Sequence, residues 1–568
     1  MSSWIAQLEA RDERSGLSAP AWIVLFLISV AAMLPGLFSI PSMDRDESRY
    51  AQASRQMMET GDFVDIRFQE DPRHVKPAGI YWMQVITTTP FGGPEAPIGA
   101  YRLPSFLASL AAIALTAFMG ARLFSPTVGL VAGIVVAVSL MTQIEARTAK
   151  TDAALLAAGV MAQLGLIMIL TQIKDAKPRF WGWPAVMWIG TGLALLIKGP
   201  IVAMFSAFTL FGYVAYKRDL SLIWKIRPVW GLAVAAAIFL PWLLAINIQT
   251  NWDFFREAVG HALFGKVGTA DDSHGGPFGY HTMLIPVTLW PGAALIGLAG
   301  LAAWARRRED LIILLLLWIL PSWLVFELVQ TKLPHYILPA VPAIAILMGL
   351  GVEQARDLLS GMKQKILHWA LVAITALVAL VLGAVPHLGG PELGAEPNLF
   401  FTISAIVGVF AAVTVLLLGL MRDVRGLLLS ALGAISLYTV VLGIVIPNLD
   451  ELWPSERAAR FVATLEGCDD VHMVTAGYRE PSNVFNSGTD TVLARNGEEA
   501  AIELFVEPLC SIALVEGRVD TEFTQAVSAN GGETRVLGEL VGFNAVKGDE
   551  MLLRFYIPSQ SQLSVPNP

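Results

Sequence analysis

Apolar residues along the chain form blocks of about 18 to 23 residues, separated by short polar connections. A helix of this length crosses a hydrocarbon core about 30 Å thick. The pattern therefore predicts a mainly α, polytopic membrane protein with about thirteen transmembrane helices. The predicted spans lie near residues 21–40, 99–121, 126–141, 152–172, 181–198, 200–216, 228–248, 282–304, 311–328, 335–353, 366–386, 399–420 and 426–446.

The pattern changes after residue 447, where shorter mixed segments replace the long apolar blocks. Residues 454–466 follow a helical pattern, and the later segments alternate or are rich in β-branched residues. The strand-like segments are 471–476, 502–515, 535–546 and 551–557. We therefore expect a transmembrane domain at 21–447 followed by a soluble α/β domain at 448–568.

Composition agrees with this division. The chain of 568 residues is 55% hydrophobic and 15% charged, whereas soluble domains carry roughly 25% charged residues. Its mean hydropathy is +0.59. The net charge of -8 gives no reason to expect a nucleic-acid partner. No cleavable signal peptide is expected, because the first apolar block is long enough to stay as a span.

Lys and Arg are concentrated in alternate connections between the predicted spans. This basic set comprises Arg122, Lys174, Lys177, Arg179, Lys217, Arg218, Lys225, Arg227, Arg306, Arg307, Arg308, Arg356, Lys363, Lys365, Arg422 and Arg425. The opposite connections carry far fewer, and the one at 387–398 has none. Cytoplasmic loops are enriched in Lys and Arg. Residues 1–20 are therefore expected in the cytoplasm, with the loops at 41–98 and 249–280 and the C-terminal domain outside.

The first outer loop, residues 41–98, carries most of the candidate chemistry. Asp46, Glu47 and Arg49 follow the first span directly, at the depth of a lipid head group. Helical spacing predicts an amphipathic helix at 47–60 that lies along the membrane interface.

A second amphipathic helix is predicted to begin at Lys76, because Pro77 is favoured in the first turn of a helix. A lysine beside the positive end of a helix suits a phosphate group. The alternative interpretation is a polar loop whose charges are only solvated. An acidic cluster and a lysine-led helix at the same membrane surface favour the functional interpretation.

Ionisable residues also occur at the outer ends of later spans. A charge at membrane depth is costly and usually faces a cavity or a partner, although a single side chain can extend to the interface. Their shared side favours a polar cavity. The group comprises Glu145, Arg147, Lys150, Asp152, Lys198, Lys332, His335 and Tyr336.

These motifs, taken in order, resemble those of a known family. Asp46–Ala51 is similar to the Asp-Glu-x-Arg-Tyr-Ala signature of the bacterial aminoarabinose transferase (ArnT) type. Lys76-Pro77 with Tyr81-Trp82, Lys198–Pro200 and Lys332–Pro339 also resemble family motifs. These enzymes, with the related protein O-mannosyltransferases, are GT-C membrane glycosyltransferases. The resemblance extends over essentially the whole chain.

The resemblance implies an enzyme of the bacterial inner membrane with a periplasmic active site and a periplasmic C-terminal domain. It would move a sugar from a polyprenyl (undecaprenyl) phosphate donor to lipid A, another envelope glycan or a protein, with inversion. A transporter or flippase for a lipid-linked sugar is the alternative. Such folds usually show paired halves, and the second half does not repeat the Asp46 loop.

By this resemblance, Asp46 is the catalytic carboxylate near the anomeric carbon, and Asp152 lines the same cavity. The implied donor-phosphate and substrate-binding residues are Glu47, Arg49, Lys76, Tyr81, Arg147, Lys198, Arg256, Lys266, Lys332 and Tyr336. The chemistry agrees, because fixed cations stabilise the charge that develops on a leaving phosphate. A carboxylate at the anomeric end can orient the acceptor or take its proton.

One departure concerns a divalent metal, which the family often binds through a Glu just before the Lys-Pro pair. Val75 occupies that position here, beside His74. His74 with His261 or His274 is a candidate zinc site, although no ligand spacing is diagnostic. No cofactor is certain on this basis.

The two cysteines, Cys468 and Cys510, both lie in the C-terminal domain. If the domain is exported, the pair can form a disulfide in an oxidising compartment. Two separate buried thiols are the alternative, because bonding geometry cannot be read from sequence.

Overall fold

The computed structural model describes residues 2–12, 16–171, 182–257, 275–393, 395–545 and 547–566. Its α-helices in chain order are α1 (Ser2–Leu8), α2 (Ala19–Met33), α3 (Asp46–Thr60), α4 (Gly79–Thr88), α5 (Ile98–Leu123), α6 (Pro126–Val138), α7 (Leu140–Ala146), α8 (Asp152–Thr171), α9 (Gly182–Lys198), α10 (Ile201–Lys217), α11 (Ser221–Lys225), α12 (Pro228–Gln249), α13 (Asp253–Glu257), α14 (Tyr280–Thr288), α15 (Ile296–Ala305), α16 (Asp310–Leu328), α17 (Val341–Glu353), α18 (Ala355–Leu358), α19 (Met362–Gly389), α20 (Leu399–Met421), α21 (Val424–Val440), α22 (Pro454–Val462), α23 (Pro481–Ser487), α24 (Gly497–Leu504) and α25 (Asp520–Ala529). The strands are β1 (Arg67–Phe68), β2 (Asp71–Pro72), β3 (His472–Ala476), β4 (Val492–Ala494), β5 (Ser511–Glu516), β6 (Thr534–Asn544) and β7 (Asp549–Pro558).

The helical part is built from apolar helices long enough for a membrane. Within the described ranges, 8 helices are long and apolar enough to cross one, or up to 10 if each bent pair counts as one span. The bent pairs are α6 with α7, and α14 with the segment that ends in α15. The shorter apolar helices α2, α9 and α10 occupy the remaining predicted blocks. The prediction of a mainly α, polytopic membrane protein is confirmed.

The bend between α6 and α7 carries polar residues to one end of the bundle. The chain turns by 59° at Ser139, which has an extended backbone and accepts a hydrogen bond from the amide of Thr142. A residue with extended φ and ψ interrupts the helix and caps the next one. Helix α7 therefore delivers Glu145 and Arg147 to the end where α8 begins.

Glycines let α4, α8 and α9 pack closely at this same end. A Cβ on Gly190 of α9 would lie 2.7 Å from a backbone nitrogen of α8, and one on Gly79 of α4 would lie 2.7 Å from the carbonyl oxygen of Leu196. Only glycine allows backbones to approach this closely. Because α8 and α9 run in opposite directions, Asp152 at the start of α8 comes beside Lys198 at the end of α9.

The first loop contains the two predicted helices, with one shifted boundary. Helix α3 ends at Gly61, which has a left-handed backbone (φ 73°), and this agrees with the predicted helix at 47–60. Helix α4 begins at Gly79, so the prediction that Lys76 starts it is wrong. The residue before a proline is pushed towards extended conformations, and Pro77 therefore keeps Lys76 outside the helix.

The C-terminal part is a small α/β domain around a five-stranded sheet of order β4-β3-β5-β7-β6. Strand β3 is parallel to β4 and β5, and β7 is antiparallel to β5 and β6. The predicted strand at 502–515 is partly wrong, because helix α24 occupies its first residues. Asn496 starts that helix by accepting a hydrogen bond from the amide of Glu499.

The C-terminal domain is closed by one disulfide. Cys468 and Cys510 are bonded, with their Cα atoms 5.8 Å apart. The bond joins the segment after α22 to the start of β5. Of the two alternatives left by the sequence, the bonded pair is the one found.

Candidate active site

Five ionisable side chains meet at the end of the bundle where α7, α8 and α9 converge. Lys198 Nζ lies 2.5 Å from Asp152 Oδ1, and Lys150 Nζ lies 3.5 Å from Glu145 Oε1. His335 stands between the carboxylates, with Nε2 3.8 Å from Asp152 and Nδ1 3.7 Å from Glu145. We call these five residues the site cluster. Its carboxylates and cations alternate, so each charge is close to an opposite one.

A small cavity opens beside the site cluster. Its wall comprises Asp152, Leu155, Lys198, Ile201, Phe326, His335, Tyr336, Leu338 and Pro339. The space available is ≈ 10 Å³, which is about the room needed by one water molecule. The wall combines a cation, a carboxylate and a phenol with apolar side chains, as ligand sites commonly do. A sugar phosphate would need side chains or loops to move before it could enter.

Asp46 is exposed at the first position of α3. Its charge interacts with those of Arg49, Arg73 and Lys150, and with the Tyr336 phenol. The positive end of the α3 dipole also favours a carboxylate there. The charge of Asp46 therefore acts on Lys150 of the site cluster and on Tyr336 of the cavity wall.

Arg73 and two buried tyrosines form the floor beside Asp46. The Arg73 guanidinium lies 4.8 Å from the centre of the Tyr50 ring, and the Tyr50 and Tyr81 rings are 5.4 Å apart. Burial raises the pKa of both phenols, so both stay neutral. Tyr81 is fully buried and packs beneath Arg73. Its side chain has no exposed surface in this structure, and the predicted contact of Tyr81 with substrate stays a prediction.

Arg49 joins the loop to the C-terminal domain. It is half-buried and interacts with Asp46 on one side and with Glu480 on the other. Burial, followed by the charge of Arg73, lowers the pKa of Arg49. Burial and the charge of Asp44 raise the pKa of Glu480. A cation between these carboxylates remains a candidate for binding phosphate.

Glu47, the neighbour of Asp46, has a different environment from the one predicted. It is 1% exposed and pairs with Arg102, whose Nε and Nη2 each donate to a different carboxylate oxygen at 2.8 Å. The amides of Met43 and Ala149 donate to the same carboxylate at 3.0 and 2.8 Å. Protein donors therefore occupy both of its oxygens in this structure, and the predicted role of Glu47 in substrate binding stays a prediction.

Arg147 is also structural. It is 3% exposed and donates to the carbonyl oxygens of Pro35 at 2.6 Å, of Gln143 at 2.7 Å and of Ala32. These bonds fix α2 to α7. Its guanidinium is bonded within the bundle in this structure, and the predicted contact of Arg147 with the donor stays a prediction.

Three other predicted phosphate contacts lie in different settings. Lys332 is buried and donates to the carbonyl oxygen of Val329 at 2.9 Å. Lys76 is half-buried in the segment before α4. Arg256 is exposed on α13 and pairs with Asp253 at 2.9 Å. Their predicted roles stay predictions. Lys266, His261 and His274 lie outside the described residues.

The candidate metal ligand His74 is engaged elsewhere. Its Nε2 lies 3.0 Å from Asp65 Oδ1, and its ring packs edge-on against Phe254 at 5.6 Å. No group of three or more His, Cys, Asp or Glu side chains suited to a metal occurs among the described residues. The candidate site of His74 with His261 or His274 stays a prediction.

The sequence did not single out Arg73, Arg102 or Asp44. Arg102 had a usable signal, because an arginine one turn inside an apolar span needs a buried partner. Arg73 and Asp44 had none, since charged residues in a polar loop are ordinary. Their importance depends on contacts that only the fold creates.

Comparison with known proteins gives three consistent results. Residues 23–252 match the family described as dolichyl-phosphate-mannose-protein mannosyltransferase. The chain is 28% identical over 378 residues to the undecaprenyl phosphate-α-4-amino-4-deoxy-L-arabinose arabinosyl transferase of Pseudomonas aeruginosa (strain LESB58). That alignment covers 65% of this chain and 66% of the relative, just under two thirds of its length. A Pseudomonas fluorescens (strain Pf0-1) relative of the same description is 26% identical over 388 residues, which are 68% of this chain and 65% of the relative.

Solved structures share the fold. The crystal structure of ArnT from Cupriavidus metallidurans bound to undecaprenyl phosphate matches with a TM-score of 0.72 and 20% identity, over 94% of this chain and 98% of that one. An Archaeoglobus fulgidus oligosaccharyltransferase in the apo form matches with a TM-score of 0.52 and 14% identity, over 91% and 69%. The predicted fold and the resemblance seen in the motifs are confirmed.

Proposed function

We propose that this chain, an ArnT-like protein with the fold of the GT-C membrane glycosyltransferases, moves a sugar from a polyprenyl phosphate donor to an acceptor outside the cytoplasm. The observation that carries the proposal is the exposed carboxylate of Asp46, whose charge acts on Lys150 of the site cluster, while Asp152, Lys198 and His335 of the same cluster line a cavity. The Pseudomonas relatives are described as undecaprenyl phosphate-aminoarabinose transferases. We therefore propose undecaprenyl phosphate as the lipid that carries the donor sugar.

The cations of the site suit a leaving phosphate. In the transfer, an acceptor oxygen bonds to the anomeric carbon while the bond from that carbon to the carrier phosphate breaks. The phosphate leaves with the electron pair, and Lys198 and Lys150 stabilise the charge that it gains. Lys198 donates one of its three N–H groups to Asp152 at the cavity wall, which leaves the others for phosphate oxygens.

The carboxylate of Asp46 suits the opposite side of the reaction. An exposed carboxylate can orient the acceptor, and it can take a proton from a hydroxyl group. A lipid A phosphate is already ionised and has no proton to lose. Asp46 then orients the acceptor alone. Inversion at the anomeric carbon follows when a single displacement occurs between the two sides.

The same geometry supports the proposed topology. The C-terminal domain contacts the first loop, so it shares one end of the bundle with the site cluster. The disulfide favours an oxidising compartment for that end. We therefore assign residues 1–20 to the cytoplasm, 21–447 to the inner membrane and 448–568 to the periplasm. The periplasmic placement rests on the distribution of Lys and Arg.

The test is sugar transfer by purified protein in liposomes. The first donor to test is undecaprenyl phosphate-α-4-amino-4-deoxy-L-arabinose, with lipid A as the acceptor. A separate experiment identifies the acceptor in cells: mass spectrometry compares lipid A, envelope glycans and exported proteins from a deletion strain with those from the parent strain. We expect Asp46→Asn to lower transfer about 100- to 1,000-fold. The matched control is Glu498→Gln, which neutralises an exposed carboxylate of the C-terminal domain. Equal transfer by Asp46→Asn and the parent would refute the proposed role of Asp46.

A further inference from the structure

The C-terminal domain forms hydrogen bonds with Asp44, two residues before Asp46. The Tyr478 hydroxyl donates to Asp44 Oδ2 at 3.1 Å, and the Ser482 hydroxyl donates to Asp44 Oδ1. Ser455 links the two, with its hydroxyl 3.0 Å from that of Tyr478 and 2.6 Å from that of Ser482. Both oxygens of Asp44 are therefore held by one domain. Burial raises the pKa of Tyr478 well above its usual value, so its phenol keeps the proton that it donates.

The residue between Asp44 and Asp46 has an unusual backbone. Arg45 has φ 60° and ψ -108°, a region that residues with a side chain rarely adopt. Such a conformation persists only where surrounding contacts hold the chain on both sides. Arg45 gives no side-chain cap to α3. The Arg45 carbonyl oxygen accepts a hydrogen bond from the amide of Arg49 at 3.1 Å, and the side-chain hydrogen bonds around the turn come from its neighbours.

The residues before and after Arg45 are bonded to different parts of the molecule. On the helix side, Glu47 is fixed to Arg102 in the transmembrane bundle. On the other side, Asp44 is fixed to the C-terminal domain by Tyr478 and Ser482. Asp46 lies between these two anchored residues in the chain and is itself exposed.

Additional contacts join α3 to the C-terminal domain further along. Gln52 Nε2 donates to Thr489 Oγ1 at 2.7 Å, and the Thr489 hydroxyl donates to Glu59 at 2.7 Å. Arg55 donates to the carbonyl oxygen of Phe485 at 2.7 Å. These contacts hold the domain in place without touching the Asp46 turn. They supply a control interface within the same domain.

We propose that Asp44, Tyr478 and Ser482 form a positioning clamp by which the C-terminal domain sets the direction of the Asp46 carboxylate. The inference deepens the proposed function and rests on it, because it concerns the same site. Asp44 acts through the backbone of the turn and does not contact substrate. The C-terminal domain is thereby part of the catalytic architecture.

The activity test compares the clamp with the control interface. Ser482→Ala, Tyr478→Phe and Asp44→Ala should each lower kcat about 10- to 100-fold, because misplacement of a reacting group by 1 Å can cost about 100-fold. KM for the donor should change less than about twofold, since the cations are untouched. Asp44→Asn keeps one acceptor oxygen and should recover part of the loss. Thr489→Val should leave kcat within about twofold of the parent.

Hydrogen exchange of the peptide spanning residues 43–50 gives a readout that does not need activity. Faster exchange in Ser482→Ala and Asp44→Ala, but not in Thr489→Val, supports the clamp. Unchanged exchange overturns the clamp, whatever the assay reports. If the parent transfers sugar and the clamp variants match it, the clamp is refuted and the proposed function stands. If the parent transfers none to any acceptor, the proposed function fails, and exchange alone decides whether the clamp holds the turn.

Discussion

Two adjacent carboxylates show how the molecule divides structure from chemistry. Glu47 is buried, and Arg102 and two backbone amides bind both of its oxygens. Asp46, one residue earlier, is exposed and lies within range of several cations. We call Glu47 and Arg102 the scaffold pair. A carboxylate whose oxygens are fully bonded holds the fold, whereas one with accessible oxygens is available to a substrate.

The site cluster lies between these extremes. Asp152 and Lys198 are in direct contact, yet His335 stands 3.7 to 3.8 Å from its two carboxylates, longer than a hydrogen bond. Glu145 Oε2 is buried and has no hydrogen-bond partner in the described structure. Charges in this condition are costly to the fold. Such a cost is expected where a ligand supplies the missing partners.

The largest difference in stability is expected when the ion pair of Glu47 and Arg102 is removed. Arg102→Ala leaves the Glu47 carboxylate buried without its cation, and we expect a loss of about 3–5 kcal/mol in the free energy of unfolding. Thermal unfolding in detergent measures this loss. Asp46→Asn, the matched change at the exposed neighbour, should leave the midpoint unchanged. A midpoint for Arg102→Ala equal to that of the parent would show that the pair does not hold the fold.

A second experiment separates the two roles within the site cluster. Lys198→Met and Asp152→Asn should each reduce sugar transfer about 100-fold, or about 2.7 kcal/mol in the barrier. Lys198→Met should also lose stability, because Asp152 then lacks its nearest cation. The double variant removes both charges and should recover stability while staying inactive. Recovery of transfer in the double variant would show that the pair serves only the fold.

The smallest expected effects concern pH, where two buried acids should respond with opposite signs. Burial would raise the pKa of Asp65, but hydrogen bonds from His74 and Arg67 lower it below its usual value. Its stabilising contribution is therefore present above the unfolded pKa of about 3.9 and is lost as pH falls through the folded pKa. Burial raises the pKa of Asp44 against the hydrogen bonds from Ser482 and Tyr478. The folded state then binds more protons, so this contribution weakens as pH rises.

Paired variants measured by thermal unfolding across pH 3–7 would show the difference. Asp65→Asn should reduce the loss of stability at the acid end of the range. Asp44→Asn should instead reduce the loss of stability on going from acid towards neutral pH. The same sign of change in both variants would contradict the assignment of their environments.

The parts of the fold that could be predicted from the sequence are those set by residues close together in the chain. Apolar block length located the long apolar helices among the described residues, because spanning a bilayer is a constraint on local sequence. The start of α4 was missed because Pro77 suggested a first turn, whereas its steric effect on Lys76 favoured an extended chain. Strand β4 has 3 residues, too few for alternation to be recognised.

The site was predictable as a group of motifs but not as a geometry. Asp152 and Lys198 were expected to line one cavity, and in the structure they form an ion pair in its wall. Asp46 and Glu47 were both expected to act at the site, because nothing local shows which carboxylate will meet Arg102. The role of Asp44 depends on Tyr478 and Ser482, which lie far away in the chain. Long-range packing therefore decides which of several similar charges can take part in chemistry.

The grip of the C-terminal domain on Asp44 also bears on how the protein is made. Its hydrogen bonds join residues 434 and 438 positions apart, so the first loop leaves the ribosome long before its partner does. Throughout that interval the spans can insert one after another while the Asp46 turn still lacks one anchor. The proposed clamp can therefore form only after the last domain has been synthesised and has folded.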